Sequence, residues 1–281
     1  MKLFIALLLF ANIVFATPPH SQNRIIVKIE EGSSFPQTRS LIRSKNLFKN
    51  YYVAYSNDLA VLKSELSTKQ EVIYIENDYK GTKDKLAKQI DSNYFKISPH
   101  LSPFNDPYVN SQWTLVDSEA YGISVLRTFR NRRSSPKEQV IVAVVDTGVD
   151  YTHPDLPMWT NENEIAGNGI DDDGNGYIDD IHGINTLVRD SEGNATMEVM
   201  DAHNHGTHVS GSIGAIQNNG VGIAGVASNV KIMALRTVPN RSDETDVDVV
   251  EAFIYAAKNG AKVINCSFGK SHNEGGMAVR D

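Results

Sequence analysis

Gln139 to Val145 is a continuous apolar run, with none of the polar alternation of a half-wet strand. A segment of that kind reads as a parallel strand covered on both faces. Lys231 to Val238 is a second such run, and Ala261 to Ser267 a third. Between the last two, Thr245 to Asn259 predicts a helix. Thr245 stands where a cap belongs, Val247, Val250, Ile254 and Ala257 recur at helical spacing, and Gly260 lies where helices commonly end. Strand, helix and strand at this spacing make a βαβ unit. The C-terminal part of the chain is therefore expected to be α/β, built on a largely parallel sheet with helices on both faces.

The N-terminal part has another rhythm. Leu3 to Phe15 is almost unbroken apolar sequence after Lys2, and Val14-Phe15-Ala16 offers the small residues of a signal-peptidase site. The run is too short to span about 30 Å of hydrocarbon, so residues 1–16 predict a cleaved signal peptide and an exported protein with no membrane span after its removal. Arg24 to Ile29, Tyr51 to Ser56 and Glu71 to Asp78 read as strands, and Arg39 to Leu47 and Leu59 to Leu66 as short helices. Together they predict a small α+β unit. Lys80 to Ser102 is polar, has Pro99 near its end, and reads as a linker or processing region.

Charge divides the chain in the same place. Residues 24–104 hold 13 Lys/Arg against 9 Asp/Glu, whereas residues 105–281 hold 13 against 25. Opposite fields of this size favour docking of the two parts on one another. The strongly acidic larger part argues against a nucleic-acid partner. Cys266 is the only cysteine, so no internal disulfide can form; lying in an apolar strand, it is expected to be a small core residue.

Two motifs carry the chemistry. Val144-Val145-Asp146-Thr147-Gly148 places Asp146 at the carboxyl end of a buried strand, the edge where open α/β sheets build their sites. His205-Gly206-Thr207-His208-Val209-Ser210-Gly211 opens a helical segment with many small residues, which implies close backbone packing. An aspartate holding one imidazole nitrogen leaves the other to take a proton from a serine hydroxyl. From about Asp106 onward the chain resembles the subtilase family of subtilisin-like serine proteases, whose order is aspartate, histidine, serine. The resemblance implies that Asp146 orients, that His205 is the general base, and that His208 packs rather than reacts. It also implies that Ser267-Phe268-Gly269 pairs with an extended polypeptide substrate, and that the first unit is an inhibitory prodomain acting on its own chain.

The family's later oxyanion and Gly-Thr-Ser segments find no match in the sequence. The expected layout is a signal peptide at 1–16, an inhibitor-like prodomain and linker at 17–102, and the N-terminal portion of a catalytic domain at 103–281. The activity expected is that of a secreted serine endopeptidase precursor, inactive without its serine. The competing expectation is a non-catalytic calcium-binding, peptide-docking or inhibitory protein.

Metal is expected in an acidic loop. Asp171, Asp173 and Asn175, the sharp turn at Gly176, the carbonyl of Tyr177, and Asp179 follow the first nine positions of an EF-hand loop, with His182 where a glutamate would close it and Asp180 a possible substitute. The family resemblance implies a second calcium loop from Asp155, Asn218 or Asn219, and the carbonyls of Ile216, Val221 and Ile223, with Asp106 a weaker candidate. A rival grouping, Asp201, His203, His205 and His208, has the residue types of a zinc site.

Overall fold

The computed structural model describes residues 20–80, 104–115, 122–125 and 138–269. The predicted signal peptide and nearly all of the predicted linker lie outside the described residues.

The first unit is an antiparallel sheet with one helix. Its strands are β1 (His20–Ile29), β2 (Arg43–Phe48), β3 (Tyr51–Tyr55) and β4 (Val72–Tyr79), in the order β2-β3-β1-β4. Helix α1 (Leu59–Leu66) starts at Asp58, whose carboxylate accepts from the Ala60 and Val61 N–H groups. The period of two in β1 sends Ile25, Val27 and Ile29 toward Leu62 and Leu66 of α1, and Ile26 to the opposite face. One expectation fails here. Arg39 to Leu47 is not a helix; its second half is the edge strand β2, paired with β3 across a two-residue turn at Lys49-Asn50 where Lys49 has φ of 45°. A lone helix of nine residues is marginal in water, whereas the hairpin satisfies the same backbone groups along an existing strand.

The second unit is a five-stranded sheet, with β5 (Val140–Asp146), β6 (Gly183–Arg189), β7 (Ala195–Thr196), β8 (Val230–Arg236) and β9 (Val263–Cys266) in the order β7-β6-β8-β5-β9. All neighbours are parallel except β6 and β7. The three apolar runs became β8, β5 and β9. Strands β6 and β7 escaped the sequence reading, because Gly-Ile-Asn-Thr-Leu-Val-Arg is neither unbroken nor cleanly alternating.

Helix α2 (His205–Gly214) and helix α3 (Asp246–Lys258) lie on opposite faces of this sheet. Val142, Val144, Ile232 and Ala234 pack with Val209 and Ile213 of α2; the intervening Ala143, Val145, Met233 and Leu235 pack with Ala252, Tyr255 and Ala256 of α3. That two-sided burial is why the runs show no polar alternation. The face of α3 bearing Val247, Val250 and Ile254 meets Ile26, Tyr51, Val53 and Tyr55 of the first unit instead. Helix α3 is therefore a shared layer between the two sheets.

Charged side chains frame that contact. Arg24 donates to Asp78 at 2.6 Å, to Asp248 at 2.9 Å and to the Thr245 hydroxyl at 2.6 Å. Arg189 holds Asp248 and Glu251, and Lys45 reaches Glu251 at 3.2 Å. The charge division in the sequence thus corresponds to a real contact between the units.

Cys266 departs from its expected burial. It lies on β9, the edge strand of the sheet among the described residues, and is exposed. Partial desolvation, with the Asp146 and Glu244 carboxylates nearby, pushes its thiol up to about 11. A thiol so disfavoured as thiolate is a poor nucleophile at neutral pH.

Candidate active site

Asp146 is the last residue of β5 and is 1% exposed. Its carbonyl accepts from the Thr237 and Val238 N–H groups, which locks the strand end against the end of β8. The chain then turns at Gly148, whose φ is 108°; a methyl group there would stand 2.5 Å from the Val199 carbonyl. Only glycine suits both demands.

His205 is the first residue of α2, and the helix approaches β5 very closely. A Cβ on Gly206 would lie 2.1 Å from the Gly148 carbonyl oxygen and 3.1 Å from Asp146 Cβ. Ser210, Gly211 and Gly214 are also buried along the same helix. The small residues predicted from the sequence to mark close packing do so. As a result His205 Nδ1 lies 2.7 Å from Asp146 Oδ1, across 59 residues of sequence. With its proton on Nδ1, the imidazole donates to the carboxylate and leaves Nε2 to act as a base. The histidine side chain is 32% exposed while the aspartate is covered, so the pair presents one wet edge.

Asp146 Oδ1 also accepts from the Thr147 N–H at 2.7 Å. Its Oδ2 is buried without a hydrogen-bond partner among the described residues. Ser210 and Ser212 each donate back into their own helix, to the Gly206 and His208 carbonyls. Neither is arranged as a nucleophile. His208, expected to pack, is exposed on the outer side of α2.

Ser267, Phe268 and Gly269 follow β9 at the sheet edge. Ser267 is exposed and accepts from the Asn265 amide at 3.0 Å, and Phe268 packs under the sheet on the α3 side.

The acidic loop is organised differently from its sequence spacing. Glu164, Asp173 and Asp180 bring carboxylate oxygens within 4.8 Å of one another. Asp171 and Asp179 do not join them. Both oxygens of Asp171 accept from the Asn175 and Gly176 N–H groups, and those of Asp179 accept from Gly167, Asn168 and Gly169. Five backbone donors thus hold these two carboxylates apart from the cluster. Asn175 donates its side-chain amide to Asp180 Oδ2, and Tyr177 donates its hydroxyl to Glu251. Glu164 was not apparent in the sequence because it lies outside the loop repeat; it is drawn in by donors from Asp172, Asp173 and Asp179. Burial raises the carboxyls of Glu164 and Asp180 above the usual range, and a divalent cation would relieve this crowding. An all-oxygen, triply acidic set fits a hard cation such as calcium.

In the second loop Asp155 and Asp106 are both buried. Asp155 accepts from the Asn219 amide at 2.8 Å and from the Ile223 N–H at 3.1 Å, and its carbonyl accepts from the Ile216 N–H. Val221 donates its N–H to Asn219 Oδ1. Asn219, not Asn218, faces Asp155. Asn218, at φ of 63°, accepts from the Asn105 N–H instead. Asp106, the weaker candidate, is central: it accepts from the N–H groups of both asparagines. The zinc grouping does not form, since Asp201 is committed to Thr147, Thr207 and backbone donors, and His203 is exposed.

Comparison with known proteins gives the same picture. Residues 137–280, more than half the chain, match the Subtilase family, Peptidase_S8. Subtilisin-like protease 1 of Plasmodium berghei (strain Anka) is 36% identical over 176 residues, covering 62% of this chain and 28% of that protein. The thermophilic serine proteinase of Bacillus sp. (strain AK1) is 36% identical over 168 residues, covering 57% of this chain and 35% of its own length. The chain thus spans about a third or less of these curated relatives. The crystal structure of the epidermin leader peptide processing serine protease of Staphylococcus aureus shares the fold, with a TM-score of 0.51 at 19% identity over 87% of this chain and 49% of that one. The parallel sheet, the two motifs and the family match agree: the chain belongs to the subtilase family.

Proposed function

We propose that this chain carries the acid–base half of a secreted serine endopeptidase, made as a precursor whose first unit inhibits it. The observation that carries the reading is the 2.7 Å contact of His205 Nδ1 with Asp146 Oδ1 at the carboxyl end of β5. In the reaction, Nε2 of His205 takes the proton as a serine hydroxyl attacks the scissile carbonyl. The Asp146 carboxylate holds the ring in place and stabilises the imidazolium, which then protonates the leaving amine. Water repeats the sequence on the acyl-enzyme. The hydroxyl must come from a serine other than Ser210 and Ser212, whose bonds are spent within α2.

Ser267, exposed just past β9, and the adjoining Phe268 and Gly269 form the segment against which an extended polypeptide would add as a strand. Calcium, when bound by Glu164, Asp173 and Asp180, would neutralise crowded carboxylates and stiffen the loop between β5 and β6. Asp106, Asp155 and Asn219 offer oxygens for a second ion. Support for the first unit as prodomain comes from its apolar and ionic contact with α3, and support for export from residues 1–16.

The test uses the protein expressed from its own gene in the presence of calcium. A fluorophosphonate probe should label one serine, and casein should be cleaved, with both lost in His205→Ala. Failure of both in protein whose Asp146–His205 pair is intact would favour a non-catalytic, calcium-binding or peptide-docking role.

A further inference from the structure

The contact between Asp146 and His205 joins a strand end to a helix start that the chain itself links only through 59 residues. Something local must hold the two ends in register. The side chain that meets both bridging threonines is Asp201. Its Oδ1 accepts from the Thr147 hydroxyl at 3.0 Å, the His203 N–H at 2.8 Å and the Asn204 N–H at 3.0 Å. Its Oδ2 accepts from the Thr207 N–H at 3.0 Å and the Thr207 hydroxyl at 2.7 Å.

Each threonine passes the link on. Thr147 Oγ1 accepts from the Gly206 N–H at 3.0 Å, and Thr207 Oγ1 accepts from the Asp150 N–H at 3.0 Å. Thr147 follows Asp146 directly and donates its own N–H to that carboxylate; Gly206 follows His205. Helix α2 lacks an ordinary cap, since Asn204 has φ of 78° and makes no side-chain cap bond. Its leading N–H groups are satisfied through Asp201 and Thr147 instead. Hydrogen bonds to Asp201, led by those from Thr207, outweigh the cost of its burial and hold its carboxyl below the usual range.

We propose that Asp201 is the positioning residue of the acid–base pair, setting the separation of Asp146 and His205 through Thr147 and Thr207. This rests on the reading of that pair given above. The chemistry demands a carboxylate. Both Asp201 oxygens face only donors, so an asparagine would set its NH2 against N–H groups whichever way it turned. Each threonine hydroxyl spends its proton on Asp201 and thereby keeps a lone pair for the backbone N–H opposite. Without the acceptor, those hydroxyls have no reason to hold that orientation.

The experiment compares the full chain with Asp201→Asn, Thr207→Val and Ser210→Ala by proton NMR of the His205 ring and by melting. Ser210→Ala removes a hydrogen bond in the same helix that does not touch Asp201. The protected low-field Nδ1 proton should be present in the native chain and in Ser210→Ala, and broadened or lost in Asp201→Asn. In protein that cleaves casein, kcat should fall about 10²-fold with KM nearly unchanged. If Asp201→Asn does not fold, Thr207→Val gives the same readout with a smaller change. An unmoved Nδ1 signal in both variants, with only a lower melting temperature, would make Asp201 a simple helix cap and overturn the proposal. A low-field signal that survives Asp146→Asn would instead sink the pair itself.

Discussion

Arg24 of β1 and Asp248 of α3 meet at 2.9 Å although 224 residues separate them, and the same guanidinium grips Asp78 at 2.6 Å. Arg24 is therefore the more buried of two cations, with Lys45, that tie the first sheet to α3. Arg24→Met would strand the fully covered Asp78 carboxylate, and should cost about 3–5 kcal/mol in urea unfolding. Lys45→Met removes a contact to Glu251 from a side chain 31% exposed, and should cost no more than about 1 kcal/mol. Equal losses would show that the ionic frame is not centred on Arg24.

The same junction responds to pH. Desolvation, reinforced by the Asp248 charge, pushes the Asp78 carboxyl up to about 6 against the pull of Arg24. A folded-state value above the unfolded one means the folded chain binds the extra proton. Asp78 thus favours the native state fully below about pH 4, and that contribution disappears as pH rises through about 6. The difference in unfolding free energy between the native chain and Asp78→Asn should shift by about 1–3 kcal/mol toward the native chain on going from pH 7 to pH 4. A shift of opposite sign would mean that pairing with Arg24 outweighs desolvation.

Two glycines of α2 should respond in opposite ways. Gly206→Ala drives a methyl group to 2.1 Å from the Gly148 carbonyl, and should cost about 1–3 kcal/mol while disturbing the Asp146–His205 bond. Gly211→Ala meets only Ile223 Cδ1 at 3.5 Å, and should be neutral or stabilising by up to about 1 kcal/mol. Thermal melts of the two variants decide this directly.

Calcium dependence separates ligands from loop braces. Saturating calcium at about 100 times its Kd should stabilise the native chain by about 2.7 kcal/mol per site relative to chelator. Asp173→Asn should reduce that gain, because Asp173 belongs to the carboxylate cluster. Asp179→Asn should lower the melting temperature with calcium or without it, since its oxygens serve the Gly167, Asn168 and Gly169 N–H groups. Equal calcium responses in the two variants would place the ion elsewhere.

What could be read in advance followed from local burial. The runs ending at Val145 and Val238 announce two-sided strands because nearly every residue in such a strand faces a layer, whatever those layers are; the run ending at Ser267 became the strand β9, but Val263, Ile264 and Cys266 on it are exposed. Gly206, Gly211 and Gly214 announce a crowded helix for the same reason. Partner choice was not legible in this way. Val247, Val250 and Ile254 form an apolar stripe, but only the fold shows it against the first unit while Ala252, Tyr255 and Ala256 take the central sheet. Residues 43–48 became a strand because β3 offered an edge, and Cys266 is exposed on β9, which ends the strand order among the described residues. Glu164 joined Asp173 and Asp180, and Asp201 came to span Thr147 and Thr207, through hydrogen bonds that follow no spacing rule. Periodicity records how each residue is buried; it carries no record of which distant atoms do the burying, and carboxylates are satisfied by whatever donors the fold delivers to them.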